Sequence, residues 1–298
     1  MREVVYMQVK VRLVNAFVAD GRGGNPAGVV LQADGLSTVQ KQAIAAQVGH
    51  SETAFVSRSD SAAFKLEFFT PTRQIAHCGH ATVASFALLR QLGQVSEGWT
   101  SKETIDGNRN ILIKGDMVFM EQRRPEYRRL DDDPQLIEAL MAALGIDPGQ
   151  LLAGYWPMRV STGGAFVLVP LVSAARVAAL QPDQQALAKL SERLDLIGFY
   201  AFSTDTHEPQ RAAGARMFAP YYGIVEEAAT GMAAGPLACF LHEQMGVSGV
   251  RLLIEQGYLM HPPSPSVITV DLQLAGQSIE RLLAGGRARV MHEVDLHL

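Results

Sequence analysis

The sequence predicts an α+β fold made of two similar domains, each wrapped around a central helix. The chain has 298 residues, and domains of about 150 residues are typical, so its length favours two of them. Predicted strands and helices alternate irregularly, which favours α+β over a doubly wound parallel sheet. Two apolar helices that begin at glycine, one in each half of the chain, indicate that the two halves are related.

The composition is that of a globular protein with large cores. Hydrophobic residues make up 48% and charged residues 19% of the chain, which excludes a disordered protein. The formal charge of −4 provides no overall field for nucleic acid or anionic lipid. Two cysteines exclude a disulfide framework and favour a reducing compartment. Because residues 1–10 lack a signal-peptide pattern and no apolar run could span a bilayer, we expect a cytoplasmic protein.

In the first half, alternating and β-branched residues mark the strands. Strands are predicted over residues 4–18, 27–31, 53–57 and 63–69. Ser37 is typical of a helix N-cap and begins a predicted helix that ends near residue 48. The first apolar helix is predicted over residues 80–92 and ends at Gly93. A hairpin is predicted over residues 110–122.

A charged segment separates the two predicted domains. Residues 123–134 carry the densest run of charge, which cores avoid, so we predict a linker there. Beyond it we predict a helix over residues 134–144, helices between residues 173 and 194, and the second apolar helix after Gly231. The remaining strands are predicted at residues 165–169, 197–203, 214–219, 252–256, 267–272 and 288–294. The predicted domains are residues 1–124, which the C-terminal strand 286–298 could complete, and residues 125–285.

The starts of the two apolar helices resemble each other. Residues 78–84 and residues 230–235 each begin with a small polar residue and glycine and then become apolar on nearly every side. The first turn of a helix has unpaired N–H groups and a partial positive charge, and small residues let an anion approach them. Two interpretations stay open: a carboxylate site formed by both helix starts, or two ordinary core helices.

Glu52, His80 and one of an adjacent pair of glutamates are candidates for proton transfer near these helices. Glu52 precedes an apolar strand, where a desolvated carboxylate could act as an acid or base, although a surface glutamate is the alternative. His80 is either a packed first-turn residue or a group that carries a proton and binds an anion. Glu226 and Glu227 precede the second helix, where they either favour the helix dipole or supply a second carboxylate.

Other candidate sites are weaker. Asn25 could hydrogen-bond a substrate or simply hold a turn. His77, Cys78 and His80 could suggest a metal, but no second cluster of ligands accompanies them, and we predict no metal site. A P-loop, a dinucleotide fingerprint and a nucleophile elbow are all absent from the sequence.

Taken together, the motifs resemble the phenazine-biosynthesis PhzF-like family. Each segment alone is a weak match, whereas the ordered set is specific and spans about residues 12–270. The matching segments are residues 15–17, 24–31, 51–55, 69–71, 78–82, 226–231 and 256–257. The resemblance implies the diaminopimelate-epimerase-like fold, in which each domain is a curled mixed β-sheet around a central helix and the active site lies between the domains. It also implies a homodimer that needs no cofactor or metal.

The resemblance further implies an isomerase that moves a proton on a small carboxylate, which could be cyclic. Glu52 resembles the family's general acid/base, and His80 resembles a residue that assists the proton transfer. Glu227, the third catalytic candidate, stands where the family usually has aspartate. The substrate-binding candidates are Asn25, Gly79, Ala81, Thr82, Thr230, Gly231 and Met232. Met232 replaces the usual serine, and residues 260–264 also depart from the family pattern, so the substrate stays open.

Two alternative functions stay open. Related epimerases use two cysteines, one at each helix start, and here Cys78 occupies the first position while Thr230 occupies the second. A threonine hydroxyl is too weakly acidic to replace a thiol, which disfavours amino-acid racemisation. A non-catalytic binding protein is the other alternative, and the loss of a polar group at Met232 favours it.

Overall fold

The computed structural model describes residues 7–297, which form six α-helices and seventeen strands. The helices are α1 (Thr38–Val48), α2 (Gly79–Gln91), α3 (Pro134–Leu144), α4 (Ala174–Ala178), α5 (Gln184–Leu194) and α6 (Gly231–Glu243). The strands are β1 (Gln8–Ala16), β2 (Asn25–Val30), β3 (Thr53–Ser57), β4 (Phe64–Phe69), β5 (Gln74–Ile75), β6 (Gly98–Thr104), β7 (Gly107–Lys114), β8 (Met117–Arg123), β9 (Glu126–Arg129), β10 (Met158–Ser161), β11 (Ala165–Pro170), β12 (Gly198–Ser203), β13 (Ala213–Ala219), β14 (Ile224–Glu227), β15 (Arg251–Gln256), β16 (Ser266–Ala275) and β17 (Ser278–His297). Among these residues no helix is long and apolar enough to cross a membrane.

The described chain divides into two compact units. The N-terminal unit contains the residues up to 21, residues 25–121 and the residues from 285 onward, and the C-terminal unit contains residues 22–24 and 122–284. The divisions therefore fall within β8 and within β17. The first predicted strand begins at residue 4, so its first three residues lie outside the described part of the chain.

The N-terminal unit is a closed ring of strands. β17, β1, β2, β3, β4, β6, β7 and β8 pair in that order, and β8 pairs with β17 to complete the ring. The β2–β3 and β4–β6 pairs are parallel. Where the ring closes, a Cβ on Gly285 would lie 2.2 Å from the Val118 carbonyl oxygen, so only glycine fits. α2 packs against β1, β2 and β3 and is buried on nearly every side.

The C-terminal unit is a mixed sheet of similar design. β9, β10, β11, β12, β13, β15 and β16 pair in that order, with parallel β11–β12 and β13–β15 pairs. α6 packs against β10, β11, β15 and β16 and, like α2, has 13 residues that are nearly all buried. The prediction of two buried central helices in an α+β fold is therefore confirmed.

Several predicted elements need correction. The segment predicted as a linker, residues 123–134, contains β9, because Glu126–Arg129 pairs with β10 and is therefore part of the sheet. The strands β6 and β10 are absent from the prediction, because β6 is largely polar and β10 has only four residues. The predicted C-terminal strand, residues 288–294, is the middle of the 20-residue β17.

Candidate active site

Glu52 lies at the start of β3 in the N-terminal unit. α1 ends at Gly49, whose φ of 69° turns the chain, and β3 then pairs in parallel with β2. The Glu52 carbonyl oxygen accepts a hydrogen bond from the Gly28 N–H group at 3.1 Å. The backbone is therefore held on both sides of Glu52, and the residue is only 4% exposed. Because it is buried, Glu52 is not the surface glutamate that the sequence left open as an alternative.

His80 connects Glu52 to Cys78. The His80 Nε2 atom lies 3.2 Å from Glu52 Oε2, and both side chains are buried. On the other side of the ring, His80 Nδ1 lies 3.6 Å from Cys78 Sγ. The His80 ring therefore lies between the carboxylate and the thiol, with one ring nitrogen facing each of them. We call Glu52, Cys78 and His80 the N-terminal site.

The same three residues are the group of potential metal ligands that the described part of the chain contains. Their ligand atoms all lie within 4.8 Å of one another. However, Nδ1 of His80 faces the thiol while Nε2 faces the carboxylate. A metal ion bound to either nitrogen would face only one of these two neighbours, whereas a structural zinc ion takes four converging ligands. The arrangement fits proton transfer along the ring better than metal binding.

The first turn of α2 surrounds this site with small residues. Cys78 occupies the N-cap position with extended backbone, followed by Gly79, His80 and Ala81. The Thr82 hydroxyl donates to the Cys78 carbonyl oxygen at 2.6 Å and is fully buried. Its side chain is therefore engaged within the protein, and a substrate contact through it stays a prediction.

The buried Lys102 and the half-buried His77 lie beside this helix start. Lys102 is absent from the predicted site, and the sequence singles out His77 only as a potential metal ligand. Lys102 in β6 contacts Thr82 and His77 with its Nζ atom. No sequence signal marks Lys102, because it lies in a polar stretch that is typical of an exposed strand.

In the C-terminal unit, the two adjacent glutamates have different roles. Glu226 forms two hydrogen bonds of 2.7 Å with Arg216, whose guanidinium also donates to three backbone carbonyl oxygens near the end of α4. Successive side chains of a strand point to opposite faces, so Glu227 in β14 turns the other way. Glu226 is thus a structural partner of Arg216, while Glu227 lies at the start of α6.

Glu227 is held by a buried hydrogen-bond network. The Thr230 hydroxyl donates to Glu227 Oε2 at 2.6 Å, and Gln256 Nε2 donates to the Glu227 carbonyl oxygen at 2.6 Å. The Oε1 atom of Gln256 accepts from the Thr230 N–H at 3.0 Å and from the Tyr200 hydroxyl at 2.8 Å. Burial and the nearby Glu227 charge raise the pKa of Tyr200. We call Glu227, Thr230 and Gln256 the C-terminal site.

The structure brings the predicted residues together in two groups. Glu52 pairs with His80, and Glu227 pairs with Thr230 at the N-cap of α6. Asn25 begins β2 and is 4% exposed, so a role in binding stays a prediction. Gly231 begins α6, and the half-buried Met232 follows it.

Met232 fills space within the C-terminal unit. Its terminal methyl carbon lies 3.0 Å from the position that a Cβ on Gly164 would take. The long side chain therefore covers a glycine on the loop between β10 and β11. Tyr200 and Gln256 are further residues missing from the predicted site, and only the family resemblance at residues 256–257 pointed to Gln256.

The sequence is similar to a known family over almost its whole length. A sequence model of the family described as phenazine biosynthesis-like protein matches residues 14–293. The chain is 33% identical to a protein of Escherichia coli O157:H7 named uncharacterized isomerase YddE, over 97% of this chain and 98% of that protein. It is 32% identical to trans-2,3-dihydro-3-hydroxyanthranilate isomerase of Pseudomonas chlororaphis, over 85% of this chain and 87% of the relative.

Solved structures share the fold. The Bacillus anthracis phenazine biosynthesis protein of the PhzF family matches with a TM-score of 0.87 and 26% identity, over 97% of this chain and 99% of that one. A hydroxyproline epimerase from Agrobacterium vitis matches with a TM-score of 0.60 and 13% identity, over 98% of this chain and 92% of the other. The second likeness shows the fold alone, and together they confirm the predicted epimerase-like architecture.

Proposed function

The chain belongs to the phenazine biosynthesis-like protein family, whose similar relatives are named isomerases, and we propose that it moves a proton between two carbons of a small carboxylate without a cofactor. Glu52 is the general acid and base of this reaction. The relative that isomerises trans-2,3-dihydro-3-hydroxyanthranilate supports a cyclic, conjugated carboxylate as the substrate class.

The buried Glu52–His80 pair is the observation that carries this proposal. The ionised carboxylate takes a proton from a carbon next to a conjugated system, and the electron pair of the broken C–H bond moves into that system. The protonated Glu52 then returns the proton to another carbon of the same substrate. His80 Nε2 lies 3.2 Å from the carboxylate, and this contact orients the carboxylate for both steps.

The C-terminal site supplies a second carboxylate in the proposal. Glu227 stands where the family usually has aspartate, and its Oε2 atom accepts from the Thr230 hydroxyl. This hydrogen bond holds the longer glutamate side chain, while the amide of Gln256 holds the Glu227 backbone carbonyl oxygen. Glu227 is therefore the candidate for the second polar contact with the substrate or for a second proton-transfer group.

Deuterium incorporation tests the proposal. The full-length protein is incubated in D2O with trans-2,3-dihydro-3-hydroxyanthranilate and with a panel of small cyclic carboxylates, and exchange at carbon is followed by NMR. We expect the native protein to isomerise its substrate, with deuterium entering at carbon to the extent that the Glu52 proton exchanges with solvent, and a loss of about a hundredfold or more in Glu52→Gln. The matched control is Glu97→Gln, because Glu97 is exposed and should behave as the native protein. Equal exchange by Glu52→Gln and the native protein would contradict the proposed role of Glu52.

The same experiment distinguishes the alternatives. A two-thiol racemase needs a second thiol, but Cys239 lies in the third turn of α6, and burial raises its thiol pKa. Such a racemase would wash out the α-deuterium label of an amino acid and would depend on Cys78 rather than on Glu52. A binding protein would gain thermal stability from a carboxylate that it never exchanges.

A further inference from the structure

Lys102 is a fully buried lysine in the middle of β6. Its relative exposure is 0%, whereas lysines are almost never fully buried unless their charge is paired. Its neighbours in β6 are polar and partly exposed, so the strand pattern alone gives no reason for the burial. A buried amine therefore needs partners whose contacts offset the cost of burying it.

The ammonium group of Lys102 has three N–H donors, and the structure provides three partners. Nζ lies 2.6 Å from Thr82 Oγ1 and 3.2 Å from His77 Nδ1, and it also lies 4.9 Å from the centre of the Phe68 ring. Burial, together with the Lys102 charge, lowers the pKa of His77 to about 3. His77 is therefore neutral near pH 7, and its Nδ1 atom accepts from the lysine.

These contacts connect Lys102 to the N-terminal site. Thr82 Oγ1 accepts a hydrogen bond from Lys102 Nζ, and the Thr82 hydroxyl donates a hydrogen bond to the Cys78 carbonyl oxygen at 2.6 Å. Cys78 is the N-cap of α2, and its thiol contacts His80, which in turn contacts Glu52. The lysine thus holds the helix start through the Thr82 hydroxyl.

The charge of Lys102 also acts on Cys78. The anionic form of the Cys78 thiol favours the charged form of Lys102, and such attraction is mutual. The other charged groups that act on Lys102 are Asp106 in the β6–β7 turn, which favours its ammonium form, and Arg109 in β7, which opposes it. Burial is the largest effect, and it lowers the pKa of Lys102 to about 7.

We propose that Lys102 is a positioning residue of the N-terminal site: its buried side chain, bonded to Thr82 and His77, fixes the first turn of α2 through the Thr82 hydroxyl. The inference rests on the proposed function only in taking the N-terminal site as the place of the reaction. The effect on the helix start needs no substrate and is independent of that function.

The helix start is measured first. Amide hydrogen exchange is followed by NMR in the full-length protein without substrate, and the probe is the Thr82 N–H group, which bonds to the Cys78 carbonyl oxygen at 3.3 Å. In Lys102→Met, we expect this amide to exchange about tenfold faster than in the native protein, because the contact that holds the Thr82 side chain is lost. Lys114→Met is the matched control, because Lys114 is exposed at the end of β7 and should leave the exchange rate unchanged.

A second variant tests whether the N–H donor matters. Lys102→Gln keeps an N–H donor and removes the charge, so we expect it to recover part of the protection of the Thr82 amide. An unchanged Thr82 exchange rate in folded Lys102→Met would overturn the inference.

Kinetics then test the effect on the reaction. We expect Lys102→Met to lower kcat about tenfold with little change in KM, and Lys102→Gln to recover part of that loss. An unchanged kcat in Lys102→Met would contradict the positioning role. Absence of turnover in the native protein would contradict the proposed function instead, and amide exchange at Thr82 would still decide the role of Lys102.

Discussion

Replacement of Lys102 by methionine should change the stability of the protein in a pH-dependent way. Methionine has a similar length and no charge, so it removes the cost of burying an amine. Burial lowers the pKa of Lys102 from 10.5 to about 7. This difference of about 3.5, at about 1.4 kcal/mol for each pKa unit, corresponds to about 5 kcal/mol of destabilisation of the folded state.

The sign of the effect follows from proton linkage. Between about pH 7 and 10.5 the unfolded chain keeps a proton that the folded protein has lost, so the native free energy of unfolding rises with pH through this window. Below pH 7 both states are protonated and the whole cost is present. The variant lacks this dependence, so its advantage over the native protein should be largest at pH 7 and decrease toward pH 10.

Lost hydrogen bonds offset part of this gain. Thr82 and His77 each lose a donor, at about 1 kcal/mol each. We therefore expect Lys102→Met to be more stable than the native protein by about 2 kcal/mol near pH 7 and slightly less stable near pH 10. The difference in free energy of unfolding should change by about 1 kcal/mol for each pH unit between them.

Urea unfolding at several pH values between 7 and 10 measures this difference directly. Subtracting the native values from the variant values removes the effects of all other titrating groups, which both proteins share. Lys114→Met should show a difference that does not change with pH, because Lys114 is exposed. If the difference for Lys102→Met were equally independent of pH, the reasoning from burial would be refuted.

Three further predictions concern structural contacts. Glu226→Gln should lower the free energy of unfolding by about 3 kcal/mol in urea melts, because it leaves the buried Arg216 without a matching charge. Gly285→Ala should cost several kcal/mol in the same assay, since its Cβ would lie 2.2 Å from a carbonyl oxygen of β8, and wild-type stability would contradict that close approach. Tyr200→Phe should cost about 1–2 kcal/mol by leaving Gln256 with one partner fewer, and a double-mutant cycle with Gln256→Leu should show strong coupling.

The central helices could be predicted because the residue types within each helix indicate that it is buried. A helix that packs on every side carries apolar or small residues throughout, and both α2 and α6 do so. The resemblance to the PhzF-like family depended on motifs around these two helices, and the family model confirms it. Local sequence was therefore enough to predict those elements that are buried along their whole length.

Elements whose environment differs from one residue to the next could not be predicted. β6 contains Lys102, which is buried only because α2, His77 and Phe68 surround it, and these partners are distant in sequence. The roles of Glu226 and Glu227 stayed open for a related reason. They are adjacent in sequence, and only the alternation of the four-residue β14 assigns one of them to Arg216 and the other to the helix start.

The two helix starts share a backbone design but carry different chemistry, and this difference bears on the type of isomerase. Neither N-cap side chain bonds to the backbone of its own helix: the Cys78 thiol turns to the His80 ring, and the Thr230 hydroxyl turns to the Glu227 carboxylate. The first arrangement links groups that can exchange a proton, whereas the second holds a carboxylate with a hydroxyl donor and the adjoining backbone with an amide donor. A racemase with two matched bases would require similar acidity at both helix starts. The asymmetry instead favours one principal acid/base, Glu52, which takes a proton from one carbon and delivers a proton to another.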